Sequence, residues 1–468
     1  MIETELAPPP AKHSATELFA ERLLEGSIHT IVLRGAPGTG KTTLALELLH
    51  LKGKGTFIST SRGHRDGHAL FAGLKEVAFE DIGSDFDSLR ASLRERPDPR
   101  KRIDRVLELV SGGIESRPRG IVIIDSWNRI ARELDTVQRY EIEMRLVASV
   151  EATDSMLLII DDLTSDEGLD FLVDGVIELK RAVHQGAVLR ELEIKKLYRT
   201  PMARPVMIFT LFDGRFRLFG PPKILIPGQY KPVPFKVIPH PEGRYSWGTP
   251  DLDVLTGGGI PRGASVTFEL APRVSPAAMI PILQARMANF IQNGGCAIGI
   301  PSSGAPPEDV LGPLRAMLSN ESVESNIRFG YYGDYHDKCT FTLNIGSVDQ
   351  TFQRIWQNVI ELKGPKQRPC LLFLGVDKLM RIHGEDAVVR NIVTTLTGTK
   401  FNKDYFTLLV DSTLENIEAI SSITEFHFLV ENHSNVLTLR PVKPEGPIHA
   451  MEFDYSRGYP QVNLVPVL

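Results

Sequence analysis

Short apolar runs alternate with amphipathic stretches through the first third of the chain. Each apolar run is bounded by turn residues and predicts a buried strand; these runs are 29–35, 55–60, 120–125 and 155–161. Between them, apolar residues at helical spacing predict helices at 14–26, 41–51, 101–113 and 136–153. We expect the third helix to end at Gly112 and Gly113, since glycine is common at helix C-termini. Strands that alternate with helices indicate a parallel α/β sheet.

The pattern changes after residue 172 and later starts again. Residues 173–219 consist of short strands and turns, which predicts antiparallel strands appended to the sheet. The proline-rich stretch 219–243 has little periodicity and predicts a linker. Beyond it the same order of elements returns, with apolar runs at 368–375 and 405–413 and hairpin-like strands at the end. We therefore infer an internal duplication of two related α/β units.

The predicted organisation has four segments: a flexible tail (1–14), an α/β domain (15–222), a linker (223–243) and a second α/β domain (244–468). A length of 468 residues suits two domains, and 42% hydrophobic and 24% charged residues are typical of globular proteins. No apolar run is long enough to span a membrane. A net charge of −5 gives no overall attraction for nucleic acid, and three scattered cysteines favour a reducing cytoplasm over a disulfide framework.

Residues 35–42, GAPGTGKT, match the phosphate-loop pattern G-x-x-x-x-G-K-[ST] at every position. The glycines let successive N–H groups point inward, and the following helix adds its positive end. Lys41 would reach the β- and γ-phosphates, and the Thr42 hydroxyl would bind Mg²⁺. The predicted nucleotide-binding residues are Gly35, Ala36, Pro37, Gly38, Thr39, Gly40, Lys41, Thr42 and Thr43.

Asp125 ends the apolar strand at 120–125 and is the predicted second magnesium residue. The carboxyl ends of parallel strands meet at one edge of a sheet, so its carboxylate can approach the phosphate loop. The alternative is an ordinary aspartate at the end of a strand.

These motifs, together with the segment VDGVIELKRAVHQGAVLRELEIKKLYRT at 173–200 and LDVLTGGGIPRGASV at 252–266, resemble the KaiC-like branch of the RecA superfamily. Within that branch the chain is similar to the double-domain archaeal GvpD group of gas-vesicle regulators. The resemblance implies tandem P-loop domains, each a mostly parallel sheet flanked by helices with antiparallel C-terminal strands. It also implies ATP and Mg²⁺ as ligands, self-association as a dimer or hexamer, and control of a partner protein such as a transcription activator.

The positions that the resemblance assigns to hydrolysis are altered. The family carries glutamate just after the second strand, where residues 59–64 of this chain read STSRGH and no carboxylate appears before Asp66. His64 and Asp66 are the candidate substitutes. A lysine and an arginine near the end of the domain would contact a neighbouring subunit's γ-phosphate. Lys196 matches that lysine, Tyr198 takes the place of the arginine, and Arg199 follows it. We therefore expect an ATP-binding switch with weak or no hydrolysis, and a slow P-loop ATPase if it is an enzyme.

The second half lacks both motifs. Its position equivalent to the phosphate loop carries Val274 and two prolines, with Pro276 in place of the lysine. β-Branched and proline residues cannot form an inward-facing nest of N–H groups. Its magnesium strand ends in Gly375, with Asp377 two residues later. We predict a pseudo-ATPase domain used for packing or for partners.

Two other functions remain open. A DNA recombination or repair ATPase of the RecA superfamily would need a basic groove, and the negative net charge argues against it. The basic run between Arg90 and Arg105 could contact nucleic acid or an acidic partner, although a solvated helix face is the favoured interpretation. An active signalling ATPase in a hexameric ring is the other alternative.

Overall fold

The computed structural model describes residues 14–24, 28–60, 76–82, 99–132, 134–151, 153–162, 167–199, 204–225, 229–303, 307–333, 337–415 and 417–468. The chain divides into two compact units: unit 1 is Met1–Gly220 with Val467–Leu468, and unit 2 is Pro221–Pro466. Each unit is built on one large, mostly parallel sheet flanked by helices, as the sequence predicts.

Unit 1 begins with a helix and then alternates strands with helices. Its strands are β1 (Thr30–Arg34), β2 (Lys54–Ser59), β3 (Glu76–Asp81), β4 (Ile121–Asp125), β5 (Met156–Asp161), β6 (Gly175–His184), β7 (Ala187–Leu197), β8 (Val206–Thr210) and β9 (Arg217–Leu218). Its described helices are α1 (Ala15–Leu24), α2 (Lys41–Lys52), α3 (Pro99–Ser116), α4 (Asn128–Ala131), α5 (Thr136–Glu151) and α6 (Glu167–Leu172).

The nine-stranded sheet of unit 1 has the order β3-β2-β4-β5-β1-β6-β7-β8-β9. Six neighbouring strands of this sheet are parallel: β3, β2, β4, β5, β1 and β6. Strands β7, β8 and β9 continue the sheet in antiparallel pairs, as predicted. Every residue of β1, β4 and β5 is buried, which explains their continuous apolar sequence. The edge strand β3 is half-exposed and was not predicted, because EVAFED lacks an apolar run.

The helix α3 continues past Gly112 and Gly113 to Ser116, so the predicted end was wrong. Gly113 lies against the sheet, where an added Cβ would meet Thr56 Oγ1 at 3.0 Å and Val122 Cγ2 at 3.3 Å. The glycine therefore permits close packing of the helix on β2 and β4 rather than a C-terminal turn.

Unit 2 repeats this architecture. Its strands are β10 (Arg244–Tyr245), β11 (Ile260–Pro261), β12 (Ser265–Leu270), β13 (Cys296–Ile300), β14 (Ile327–Tyr331), β15 (Thr340–Thr342), β16 (Cys370–Gly375), β17 (Tyr405–Asp411), β18 (Phe426–His433), β19 (Val436–Lys443), β20 (His449–Asp454) and β21 (Gln461–Pro466). Its described helices are α7 (Pro250–Leu255), α8 (Ile280–Gln292), α9 (Pro307–Met317), α10 (Asn320–Asn326), α11 (Val348–Lys363), α12 (Val376–His383), α13 (Glu385–Phe401) and α14 (Ile417–Ile423).

The main sheet of unit 2 has the order β15-β14-β13-β16-β17-β12-β18-β19-β20-β21. The sheet positions of β1 to β9 are taken in unit 2 by β12, β13, β14, β16, β17, β18, β19, β20 and β21, in that order. Strand β15 is one additional edge strand. The two units share one strand order, as expected from the internal duplication inferred from the sequence. Strand β16 therefore corresponds to β4, the strand that ends in Asp125.

The described part of the proline-rich segment is extended and packs on unit 2. The backbone N–H of Val233 donates to Gly458 O at 3.1 Å, that of Phe235 to Met317 O at 3.0 Å, and that of Ile238 to Asn289 Oδ1 at 2.7 Å. The Phe235 side chain is buried in the core of unit 2. In the ranges described above, no helix combines the length and the apolar character needed to cross a membrane.

Candidate functional site

The phosphate-loop sequence joins β1 to α2 at the carboxyl edge of the sheet. Gly35 has φ +146° and packs so closely that an added Cβ would clash with the Leu179 carbonyl. Gly40 has φ +102°, and a Cβ there would lie 2.9 Å from the Leu211 side chain. The N–H and the hydroxyl of Thr39 both donate to Ala36 O, at 3.3 and 2.8 Å, and close the turn. Both glycines are therefore required by conformation and by space.

Helix α2 presents an open N-terminus to the loop. Gly40 is left-handed and provides no side-chain cap, and the first intrahelical bond is Leu44 N–H to Gly40 O. The N–H groups of Lys41, Thr42 and Thr43 therefore have no acceptor within the helix. Ala36, Pro37 and Gly38 are exposed beside them. Unpaired N–H groups and the positive end of a twelve-residue helix form a suitable environment for a phosphate.

The Lys41 ammonium is nearly buried, with 6% of its side chain exposed, and lies over the loop. Its Nζ donates to Gly35 O at 2.7 Å and to Ala36 O at 3.0 Å, and it lies 2.9 Å from Asp162 Oδ1. Three oxygens match the three donors of an ammonium group. The lysine is thus held at the position from which it can bind a nucleotide's phosphates.

Thr42 and Asp125 meet on the other side of the loop. The Thr42 hydroxyl donates to Asp125 Oδ2 at 2.7 Å, and the Asp125 residue is 4% exposed. Adjacent oxygen ligands of an octahedral Mg²⁺ lie about 2.9 Å apart, given Mg–O distances of about 2.1 Å. The separation of these two oxygens therefore fits a shared magnesium ion. The peptide bond between Asp125 and Ser126 is cis.

A comparison with known proteins agrees with this geometry. Residues 20–195 match the family model described as "GvpD gas vesicle protein, P-loop domain". Residues 20–195 therefore form a GvpD-like P-loop domain. It is 25% identical over 330 residues to Protein GvpD1 of Halobacterium salinarum, an alignment that covers 65% of this chain and 60% of that relative. It is 26% identical over 295 residues to Protein GvpD2 of the same organism, covering 59% of each chain. The similarity thus spans about three fifths of the relatives' length.

In the GvpD-like domain, Thr60, the residue directly after β2, makes structural hydrogen bonds to the end of β4. The Thr60 N–H donates to Asp125 O at 2.7 Å, and its hydroxyl lies 2.9 Å from Ser126 O and accepts the Ser126 N–H at 2.9 Å. Arg129 Nη1 donates to Thr60 O at 3.0 Å. These bonds join the ends of β2 and β4. The other predicted substitutes for the glutamate, His64 and Asp66, lie outside the described residues.

Two consecutive aspartates at the end of β5 belong to the site and were not predicted. Asp161 is fully buried and lies 3.3 Å from Arg34 Nε, while Arg34 Nη1 is 2.6 Å from Asp170 of α6. Asp162 is 37% exposed and faces Lys41. The argument that singled out Asp125 applies here as well, because β5 is parallel to β1 and ends at the same edge.

Arg190 on β7 also contacts the phosphate loop. Its Nη1 lies 3.3 Å from Gly38 O and 3.4 Å from Thr39 O, and its Nε is buried without a hydrogen-bond partner. Burial lowers the pKa of the Arg190 guanidinium, and Arg181, directly opposite on β6, adds to the effect. Sequence reasoning missed this residue, because a hairpin arginine is indistinguishable from a solvated one.

The two predicted trans residues differ in their surroundings. The ammonium of Lys196 donates to Asp170 O at 2.8 Å and to Val173 O at 2.6 Å, at the end of α6 in its own chain. Arg199 is exposed, with its guanidinium 4.9 Å from the ring of Tyr198. The structure therefore brings Lys196 to α6 and leaves Arg199 on the surface of the hairpin.

The corresponding edge of unit 2 has a different arrangement. After β12, residues 271–275 lead into a 3-10 helix, Pro276–Met279, which begins at the position of the missing lysine. Gly375, in the place of Asp125, packs on Ser302, whose Oγ would lie 2.5 Å from an added Cβ. Asp377 lies in the first turn of α12 and accepts the Ser303 N–H at 3.0 Å. A side chain at position 375 has no room here.

Proposed function

We propose that unit 1 binds Mg-ATP and that nucleotide occupancy is used as a switch. The observation that carries the proposal is the joint placement of Lys41 and of the Thr42–Asp125 pair around the open N-terminus of α2. A cation for the phosphates, two oxygens for magnesium and free N–H groups meet at one edge of the sheet. The P-loop domain implies nucleotide binding, and the choice of ATP comes from the family resemblance.

Thr42 and Asp125 would hold the magnesium ion. The ion would neutralise part of the negative charge of the β- and γ-phosphates. The chain's own contribution is to keep both oxygens in place before the ligand arrives. Asp125 is anchored by the bonds from Thr60 to its carbonyl, and Thr42 by its position in the first turn of α2.

Weak or absent hydrolysis is supported by the residues at the end of β2 and by the contacts of Lys196. In the described part of the segment after β2, Ser59 and Thr60 provide hydroxyl groups but no carboxylate, and a hydroxyl is a poor general base at neutral pH. The Lys196 ammonium is held by two carbonyls of its own chain, so a neighbouring subunit would have to compete with them. Both arrangements support binding without rapid turnover.

Unit 2 is proposed to be a pseudo-ATPase unit that binds no Mg-nucleotide. The backbone of Ser302 fills the space that a magnesium-binding side chain at position 375 would need. The missing lysine and the proline-led 3-10 helix support the same conclusion. This unit would then contribute through packing or through partner contacts.

The output of the switch is proposed to be control of a partner protein in gas-vesicle formation. The proposal rests on the names of the matching family and relatives. The structure offers a route for the signal within unit 1, because Arg190 and Lys196 link β7 to the phosphate loop and to α6. A bound phosphate would alter the contact of Arg190 with the loop and thereby the hairpin that carries it.

Titration calorimetry with ATP and Mg²⁺ tests the proposal. We expect one ATP per chain, and a loss of at least about tenfold in affinity for Lys41→Ala, the effect of removing a charge-assisted hydrogen bond. Lys52→Ala, at the other end of α2, is the matched control and should bind normally. Two ATP per chain would contradict the proposal for unit 2, and no binding would contradict the proposal for unit 1.

A further inference from the structure

Three oxygens hold the Lys41 ammonium, and they differ in kind. Gly35 O and Ala36 O are backbone carbonyls of the loop, whereas Asp162 contributes a carboxylate at 2.9 Å. An ammonium has three donors, and these three acceptors occupy them. A phosphate oxygen that binds Lys41 must therefore displace one of the three. Asp162 is the one side chain and the one anion among them, so it is the group that can leave.

The surroundings of Asp162 leave it no other described cation nearby. Arg34 is engaged by Asp161 and Asp170, at 3.3 and 2.6 Å. The backbone of Asp162 is held in place, since its N–H donates to Asn128 Oδ1 at 3.2 Å and Asn128 is 2% exposed. The end of β5 is thus fixed, while the carboxylate itself is 37% exposed and can turn.

We infer that Asp162 makes unit 1 discriminate between ATP and ADP by competing with the γ-phosphate for Lys41. The inference rests on the proposed function, because it requires a nucleotide on the phosphate loop. The β-phosphate of ADP competes with Asp162 for Lys41, and ATP adds the γ-phosphate as a second competing anion. When the γ-phosphate binds Lys41, it takes the place of the Asp162 carboxylate. The displaced carboxylate then lies beside the negative charge of the γ-phosphate.

The Asp162 carboxylate therefore lowers the affinity for ATP more than it lowers the affinity for ADP. The lost ion pair and the like-charge repulsion both oppose the γ-phosphate, and neither opposes the β-phosphate to the same extent. Removing the carboxylate should therefore favour ATP selectively. Asp162→Asn keeps the size of the side chain and its backbone bond to Asn128, so the effect isolates the charge.

The test compares affinities for Mg-ATP and Mg-ADP in wild type, Asp162→Asn and Asp154→Asn. Asp154 is a surface carboxylate, 69% exposed and paired with Arg119, and it serves as the matched control. We expect Asp162→Asn to bind ATP about three- to tenfold more tightly and ADP within about twofold of wild type, the scale of a partly exposed ion pair. Asp162→Ala should give the same direction, and the melting temperature of each variant is measured alongside.

An unchanged ratio of ATP to ADP affinity in both Asp162 variants would overturn the inference. If the ratio is unchanged but phosphate release is lost, Asp162 is a base or water-orienting group, and the inference is also overturned. If both variants lose affinity for ATP and ADP equally, Asp162 has a structural role only. If the wild type binds neither nucleotide, the proposed function fails and this inference fails with it.

Discussion

The Thr42 hydroxyl donates a 2.7 Å hydrogen bond to Oδ2 of Asp125, although 83 residues separate them in the chain. The bond joins the first turn of α2 to the end of β4. The two oxygens that we propose as magnesium ligands are therefore held together by the protein itself, which reduces the reorganisation needed on binding.

Replacing Asp125 by asparagine should remove the magnesium dependence of nucleotide affinity. The Asn oxygen can still accept the Thr42 hydroxyl, so the free energy of unfolding should change by less than about 1 kcal/mol. Loss of the charge should reduce the gain in affinity on adding Mg²⁺ about tenfold or more. Titrations of the nucleotide in Mg²⁺ and in EDTA measure this gain. A gain equal to that of wild type would show that another group holds the ion.

Arg190→Ala should weaken nucleotide binding by loosening the phosphate loop. Its Nη1 lies 3.3 and 3.4 Å from two loop carbonyls, which are long hydrogen bonds. We therefore expect a loss of about three- to tenfold in affinity, corresponding to about 0.5–1.5 kcal/mol. The matched control is Arg181→Ala, which removes the exposed arginine opposite it on β6. Equal effects of the two substitutions would indicate a general loss of positive charge instead.

Gly375→Ala should destabilise unit 2. The added methyl group would lie 2.5 Å from Ser302 Oγ and would also clash with the Ser302 backbone. We expect a loss of about 2 kcal/mol or more in the free energy of unfolding, the cost of overpacking against a backbone. Gly398→Ala, near the C-terminal end of α13, has its nearest contacts at 3.7 Å and should be neutral or stabilising. Urea unfolding of both variants compares them, and similar stabilities would show that position 375 can accept a side chain.

Unit 2 should lose stability as the pH falls from about 6.5 to about 4. Burial lowers the pKa of His240 from 6.5 to about 4, with a smaller contribution from Arg262. The ring lies against Tyr245 and Phe290, and its Nδ1 accepts the Ser246 N–H at 3.1 Å. The folded pKa is depressed, so between these values the unfolded chain binds the proton more readily, and stability rises with pH.

His240→Asn isolates this contribution, because Asn Oδ1 can replace Nδ1 as the acceptor without titrating in this range. After allowance for partial solvent exposure, we expect the wild type to lose about 1–2 kcal/mol more than the variant between pH 7 and pH 4. Urea unfolding midpoints at several pH values measure the difference. Parallel pH profiles for the two proteins would show that His240 contributes nothing.

The repeated order of elements along the chain could be predicted from the sequence, because fully buried parallel strands have continuous apolar sequences. Runs such as 120–125 and 368–375 therefore identify β4 and β16 directly. The edge strand β3 could not be found this way, since one of its faces is solvated and its sequence is polar. The C-terminal end of α3 was mispredicted at its two glycines. A glycine that permits close packing and a glycine that ends a helix cannot be told apart in the sequence.

Sequence motifs predict part of the candidate site. Lys41, Thr42 and Asp125 follow from the phosphate loop and from the end of an apolar strand, and the structure brings them together. Asp162 could have been found in the same way as Asp125, because it follows the apolar strand β5, which ends at the same edge of the sheet. Arg190 depends on a tertiary contact between β7 and the phosphate loop, for which the sequence offers no spacing rule.

The most direct test of the account is a paired measurement of ATP affinity and of phosphate release by the purified wild-type protein in Mg²⁺, with Lys41→Ala beside it. We predict tight binding that depends on Lys41, together with phosphate release so slow that most bound ATP dissociates unhydrolysed. Rapid phosphate release that Lys41→Ala abolishes would contradict it, because the site would then cleave the nucleotide rather than sense it.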